Sequence, residues 1–176
     1  MSTRSFELAT ECQRQFENCL YSAASFTIWL KWLRGIRIVQ ISSSLILGAF
    51  ASWSLVSSSP NRTIQLMAAI AAFLAGLMPA ICAALKIDDR IEDCRRLSGE
   101  FTNLRDRFRQ AALIHSRKPF AEFEREFKPI MDRMDSARST GITPPDFIFR
   151  LAQKKIKTGD YTFDIDIARD QSEPVA

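Results

Sequence analysis

Two long stretches of this chain contain no Asp, Glu, Lys, Arg or His, and they constrain the fold more than any other feature. They cover residues 38–59 and 63–85, and charged residues are dense before the first and after the second. Each stretch exceeds the roughly 18 uncharged residues typical of a membrane-spanning helix, and as a helix each would reach about 33 Å. The sequence therefore predicts two transmembrane helices joined by a short loop.

The alternative is a soluble helical bundle with two buried central helices, because an apolar run alone does not distinguish burial in protein from burial in lipid. A core helix of a soluble protein usually carries a polar stripe at helical spacing. The second run offers only Thr63 and Gln65, both at its start. A cleaved secretory signal is also disfavoured, because the first run begins near residue 38 and a second span follows closely. The membrane hairpin is the favoured interpretation.

Basic residues flank the two runs, whereas the connecting segment carries only Arg62. By the positive-inside rule both termini are predicted to be cytoplasmic and the connecting loop to lie on the other side of the membrane. Basic residues beside a lipid bilayer attract its anionic headgroups, which accounts for the net charge of +4. No nucleic-acid partner is therefore expected. Aromatic and basic residues at the cytoplasmic edge are predicted to lie at the membrane interface: Trp29, Lys31, Trp32, Arg34, Arg37 and Lys86.

The predicted fold class is an all-α membrane protein, a two-transmembrane helical hairpin with long cytoplasmic helices before and after it. Gly35 marks a possible hinge between the first helix and the first span. The predicted segments are an N-terminal cytoplasmic amphipathic helix (1–37), the transmembrane hairpin (38–86), a cytoplasmic helical region (87–158) and an extended or disordered tail (159–176).

Apolar side chains recur at helical spacing outside the two spans, which predicts buried stripes. The helix after the second span should continue far beyond the membrane and stop near His115, and a new helix should begin at Pro119. A further break is expected at 141–145, before a short helix over 145–156. The first stripe comprises Phe6, Cys12, Phe16, Cys19, Leu20, Ala23 and Ala24. The second comprises Ile87, Ile91, Cys94, Leu97, Phe101, Leu104, Phe108 and Ala111.

Small residues in both spans predict close helix packing. In a membrane, small residues four apart let helix backbones approach each other. These faces could pack within one hairpin or between subunits, and we expect some of both. Pro79 frees a backbone carbonyl within the second span, and a kink there is one way to gate an opening. The predicted packing residues are Ser44, Gly48 and Ser52 in the first span, and Ala68, Ala72, Gly76, Pro79, Ala80 and Ala84 in the second.

Residues for catalysis are sparse, so an enzyme is not expected. The chain has no Gly-rich phosphate loop, no HExxH and no GxSxG, and His115 is its only histidine. The acidic residues after the second span alternate with basic ones, which favours ion pairs over a metal site. The cysteines lack the spacing of a zinc site or a disulfide framework. No cofactor, metal or catalytic residue is predicted.

The order of these parts resembles the SLATT family, two-transmembrane effector domains associated with SMODS nucleotidyltransferases and SLOG sensors in bacterial conflict systems. The resemblance covers most of the chain and is one of layout. It comprises RGIRIVQ at the end of the first helical segment, SSSPNR between the spans, LKIDDRIEDCRRLSGEF after the second span, HSRKPF at the following break and PPDFIFRLAQKKI near the C-terminus.

This resemblance implies a membrane effector of an anti-phage system that forms a homo-oligomer and opens a pore or otherwise disrupts the inner membrane, leading to abortive infection. Control would come from a separate nucleotide-second-messenger synthase or sensor protein, because no such domain is evident in this chain. The alternative function is a membrane-anchored scaffold or partner-binding protein without pore activity.

Overall fold

The computed structural model describes residues 3–56 and 62–159, and every regular element within these ranges is a helix. The predicted all-helical architecture is thus confirmed for the described residues. The predicted loop between the spans and the tail beyond residue 159 lie outside them. The elements are α1 (Thr3–Val56), α2 (Arg62–Ala84), α3 (Ile87–Leu113), a 3₁₀ turn at His115–Arg117, α4 (Phe120–Arg138) and α5 (Asp146–Lys157).

α1 is one unbroken helix that includes the described part of the first predicted span. It runs through Gly35, so the hinge expected there does not appear as a break. A glycine inside a helix costs only about 0.5–1 kcal/mol relative to alanine. That cost is too small to end a helix whose neighbouring residues are good helix formers.

The sequence predicted one helix continuing from the second apolar run far beyond the membrane, but α2 and α3 are separate helices. α2 ends at Ala84, and Lys86 has a φ of 50°, in the left-handed region that non-glycine residues rarely adopt. The amide N–H of Leu85 donates to the carbonyl of Ile81, and that of Lys86 to the carbonyl of Ala83, both at 3.0 Å. This turn ends α2, and α3 begins at Ile87, the residue after Lys86.

The breaks after α3 are where the sequence predicts them. α3 ends two residues before His115, and Pro119 is the N-cap of α4, with an extended ψ of 143°. Gly141 follows α4 with a φ of 69°, a left-handed conformation that glycine adopts without penalty. Pro145 is the N-cap of α5, and Pro129 lies inside α4 without ending it.

The chain divides into two compact units. The bundle unit comprises residues 3–29 and 95–159 of the described chain, and the hairpin unit comprises residues 30–56 and 62–94. The bundle unit therefore combines two segments that lie far apart in the sequence, whereas the hairpin unit is a single continuous part of the chain.

Aromatic and sulfur contacts hold the helices of the bundle unit together. The rings of Phe26 on α1 and Phe101 on α3 stack with their centroids 5.6 Å apart. Phe108 on α3 meets Phe127 on α4 edge to face at 6.1 Å. The Cys19 Sγ lies 4.0 Å from the Sδ of Met134. Because α1, α3 and α4 all contribute to this core, the unit is a helical bundle.

The predicted stripe on α3 is confirmed. Its members are buried except Ile91, which is half-buried. On α1 the prediction for Phe6 is wrong, since that side chain is 64% exposed and Ser5 is buried instead. Ser5, Cys12 and Cys19 are each seven residues apart, about two helical turns, whereas Phe6 is turned about 100° from them.

Replacing Phe108 by alanine should lower the free energy of unfolding by about 3–5 kcal/mol, because a fully buried ring leaves a cavity. Phe6→Ala removes the same ring from an exposed position and should cost less than about 0.5 kcal/mol. Denaturant unfolding of the full chain in detergent, followed by circular dichroism, measures both. Equal losses in the two variants would contradict this core.

An ion pair joins α3 to α4 in the bundle unit. Arg133 donates from Nε to Glu100 Oε1 and from Nη2 to Glu100 Oε2, the second at 2.8 Å. These hydrogen bonds lower the pKa of Glu100 from its ordinary value, against the opposing effect of burial. The Arg133 side chain is 42% exposed, so solvent screens the pair and limits its contribution to about 1 kcal/mol or less.

The Glu100–Arg133 pair should stabilise the protein only where Glu100 is ionised. Since the folded-state pKa is lowered, the contribution is complete above the unfolded value of about 4.3 and is lost as the pH falls through the folded value. The difference in stability between the wild type and Glu100→Gln should therefore shrink between pH 6 and pH 3. Glu124→Gln, at an exposed position on α4, is the control. A difference unchanged at pH 3 would refute the assignment.

Candidate functional site

α1 and α2 are each long and apolar enough to cross a membrane, and the described residues leave their most apolar parts largely uncovered. Of the most apolar 18 residues in each helix, only 6% and 11% are buried. A core helix in a soluble bundle would be mostly buried, so this exposure weighs against the soluble alternative. Within the two charge-free stretches, the most exposed large apolar side chains of the described residues are Ile38, Val39, Leu45, Ile46, Trp53, Leu66 and Phe73.

The two apolar helices of the hairpin unit run side by side in opposite directions. Gln40 on α1 and Cys82 on α2 line the same two cavities, so they lie at about the same level. Ala51 lies eleven residues after Gln40 on α1, and Ala71 lies eleven residues before Cys82 on α2, so the two alanines are also about level. Both alanines are buried, at 8% and 6% exposure. Their burial is consistent with α1 and α2 packing along this line.

The covered side of α2 follows a different spacing from the predicted one. Its buried and half-buried residues alternate three and four apart: Ala68, Ala71, Ala75, Met78 and Cys82. This spacing averages 3.5 residues and stays close to one face of a helix with 3.6 residues per turn. The sequence already contained this signal, because Ala71 and Ala75 flank the small residues that recur every fourth position.

The predicted stripe of small residues is therefore only partly covered. Ala68 is buried, whereas Ala72, Gly76, Ala80 and Ala84 are exposed. Each step of four residues advances 400°, or 40° beyond one full turn, so the stripe winds away from the first face by about 160° over four steps. The stripe is thus divided between the covered side of α2 and its exposed side.

The predicted packing residues of α1 also fall on two sides. Ser44 and Gly48 are half-buried, whereas Ser52 is exposed and donates to the carbonyl of Gly48 at 2.9 Å. The Ser44 Oγ is buried and has no hydrogen-bond partner among the described residues. An unsatisfied buried hydroxyl costs about 1–3 kcal/mol, which water or another chain can relieve.

Two features of α2 affect how closely another helix could approach it. A Cβ added at Gly76, on the exposed side, would meet no atom within 4 Å. Pro79 lies inside the helix and has no N–H, so the carbonyl of half-buried Ala75 lacks its usual helical donor.

Five of the six predicted membrane-interface residues are exposed: Lys31, Trp32, Arg34, Arg37 and Lys86. Arg37 forms an ion pair with Asp88 at 3.1 Å. Trp29 differs, because it is 8% exposed and lies in the bundle unit with its ring centroid 6.3 Å from that of Phe26. Trp29 therefore contributes to the core of that unit.

Groups that could support chemistry are few in the described residues. No cluster of three or more His, Cys, Asp and Glu side chains there could hold a metal ion. Burial, followed by the charge of Glu11, raises the pKa of Cys12 to about 12. Burial likewise raises the pKa of Cys19 to about 11, against the opposing charge of Arg138. Thiols held neutral in this way are poor nucleophiles and poor metal ligands.

Comparison with known protein families, curated proteins and solved structures found no match to this chain. The likeness to the SLATT family therefore stays a prediction.

The buried cysteines should react slowly with thiol reagents. A pKa raised from about 9 to about 11 or 12 reduces the thiolate fraction roughly a hundredfold or more at pH 8, in addition to the loss of access. We expect modification of Cys12 and Cys19 by a maleimide to lag behind that of half-buried Cys82, as measured by mass spectrometry of digested protein. Unfolding in sodium dodecyl sulfate should abolish the difference. Equal rates before unfolding would contradict it.

Proposed function

We propose that this chain is a homo-oligomeric membrane effector of a bacterial anti-phage system, which permeabilises the inner membrane when a separate sensor triggers it. The observation that carries the proposal is the exposed small-residue face of α2, formed by Ala72, Gly76, Ala80 and Ala84. None of these four residues is buried by the described part of the chain. The assignment to anti-phage defence rests on the resemblance to the SLATT family.

Placement of the hairpin in a bilayer follows from its uncovered apolar surface. α2 has 23 residues and is therefore about 34 Å long, enough to cross a hydrocarbon core of about 30 Å. The basic residues at the open end of the hairpin support a cytoplasmic location for both termini, by the positive-inside rule. The bundle unit then lies on the cytoplasmic side, where it can receive a signal from a partner.

Assembly between copies follows from the chemistry of the exposed face. In lipid, helices associate through close backbone packing and interhelical hydrogen bonds, because no hydrophobic drive separates them from the acyl chains. Small side chains such as that of Gly76 permit this approach, and the open space above Gly76 leaves room for a neighbouring helix. The exposed hydroxyl of Ser52 can line a polar path once several hairpins meet.

Replacing Gly76 by leucine should abolish both assembly and permeabilisation. A Cβ at this exposed position meets no atom within 4 Å, so the monomer should keep its helix content and unfolding midpoint. Chemical crosslinking in liposomes measures assembly, and release of an entrapped dye measures permeabilisation. Gly99→Leu is the matched control, because Gly99 also has open space and lies in the bundle unit.

The comparison between the two leucine variants decides the proposal. We expect at least a tenfold loss of dye release for Gly76→Leu and less than a twofold change for Gly99→Leu. Release that persists in the Gly76 variant, or wild-type protein that stays monomeric in liposomes, would overturn the proposed function.

A membrane-anchored scaffold is the second candidate, and the surface of α5 favours it. Phe147, Phe149 and Leu151 are 53%, 43% and 40% exposed, although they lie in the bundle unit and outside the apolar helices. Exposed apolar side chains of this kind are typical of protein-binding surfaces. A scaffold should retain its partner in the Gly76→Leu variant, whereas a pore-forming protein should lose its activity.

A further inference from the structure

The hairpin unit contains a groove of about 720 Å³ between the N-terminal part of its α1 segment and the C-terminal end of α2. One wall carries Trp32 and Val39, and the other carries Ile81 and Leu85. These four side chains are 44–66% exposed, with Ile81 the least and Val39 the most exposed. The groove is therefore apolar and opens to the outside of the hairpin.

The groove runs from the predicted membrane interface into the first predicted span. Its lining on α1 extends from Lys31 to Gln40, ten residues and so about 14 Å. A helix about 10–12 Å across would need roughly 1,000–1,500 Å³ over the same length. The groove is too small for a helix of a second copy and suits a single extended chain.

Positive charge lies at one end of the groove. Lys31 lines it, and Lys86 directly follows Leu85 on the opposite wall, with both lysines exposed. Two acidic residues follow Lys86 closely. Asp88 is paired with Arg37, and Asp89 is exposed. An amphiphile with an apolar tail and a negatively charged head complements this arrangement.

We propose that the groove binds one acyl chain of an anionic phospholipid, whose headgroup phosphate pairs with Lys31. The proposal rests on the proposed placement of the hairpin in a bilayer and adds a defined lipid site to it. Trp32 and Gly35 lie beside the bound chain. A Cβ at Gly35 would meet open space, so a larger side chain there would fill the groove without displacing the protein's own atoms.

Quenching of tryptophan fluorescence by lipids with brominated acyl chains tests the site. Trp53→Phe leaves Trp32 as the exposed reporter in the groove, and Trp32→Phe leaves Trp53, which is 72% exposed elsewhere on α1. Buried Trp29 gives the same background in both variants. Each is reconstituted in phosphatidylcholine vesicles containing a small, equal fraction of brominated phosphatidylglycerol or brominated phosphatidylcholine.

We expect brominated phosphatidylglycerol to quench Trp32 at least twice as strongly as brominated phosphatidylcholine, with no such preference at Trp53. Lys31→Gln should remove the preference, whereas Lys154→Gln, an exposed lysine of the bundle unit, should leave it unchanged. Gly35→Phe should reduce quenching of Trp32 by both lipids, and Gly99→Phe should not.

Two results would overturn the lipid site while leaving the membrane hairpin intact. Equal quenching of Trp32 by both lipids would mean unselective surrounding lipid. Quenching of Trp53 without quenching of Trp32 would mean that another part of the protein or a second copy covers the groove. Quenching of neither tryptophan would instead contradict the placement of the hairpin in the bilayer, and the lipid site with it.

Discussion

Apolar surface that the chain does not cover by itself is the constraint on which the rest of the structure depends. In the bundle unit, the rings of Phe101 and Phe108 are buried by neighbouring helices. In the hairpin unit, side chains such as Leu45 and Phe73 remain more than 60% exposed. Large contiguous apolar surface is unfavourable in water, so it needs lipid, another chain or both. One polypeptide thus contains one unit suited to water and one suited to a membrane.

The hairpin divides its small residues between two tasks. Ala68 and Ala71 are covered along the line where α1 and α2 run side by side, whereas Gly76 and Ala80 remain on the outside. In lipid, helix contacts depend on closeness of approach, so a helix with two small faces can pack on two sides. This division connects the fold of a single hairpin to the proposed assembly of several.

Much of the fold could be predicted from the sequence because its signals are local. Charge-free runs, the proline at position 119 and the apolar period of α3 each indicate a helix or a break from a few neighbouring residues. The break at Lys86 could not be predicted, since no glycine or proline marks it and a lysine adopts the left-handed conformation there. The burial of Trp29 was equally hidden, because an aromatic residue beside basic ones fits a membrane interface and a bundle core alike.

The bundle unit is built from two chain segments on either side of the hairpin unit, and this determines the order in which the chain can fold during synthesis. Its first segment, residues 3–29, packs with segments that begin only at residue 95, after the whole hairpin unit has been made. At about 5–20 residues per second, the ribosome needs several seconds to supply those partners. Cys12, Cys19 and Phe26 must stay uncovered or chaperoned throughout that interval. The bundle unit therefore cannot close until the whole hairpin unit has been synthesised.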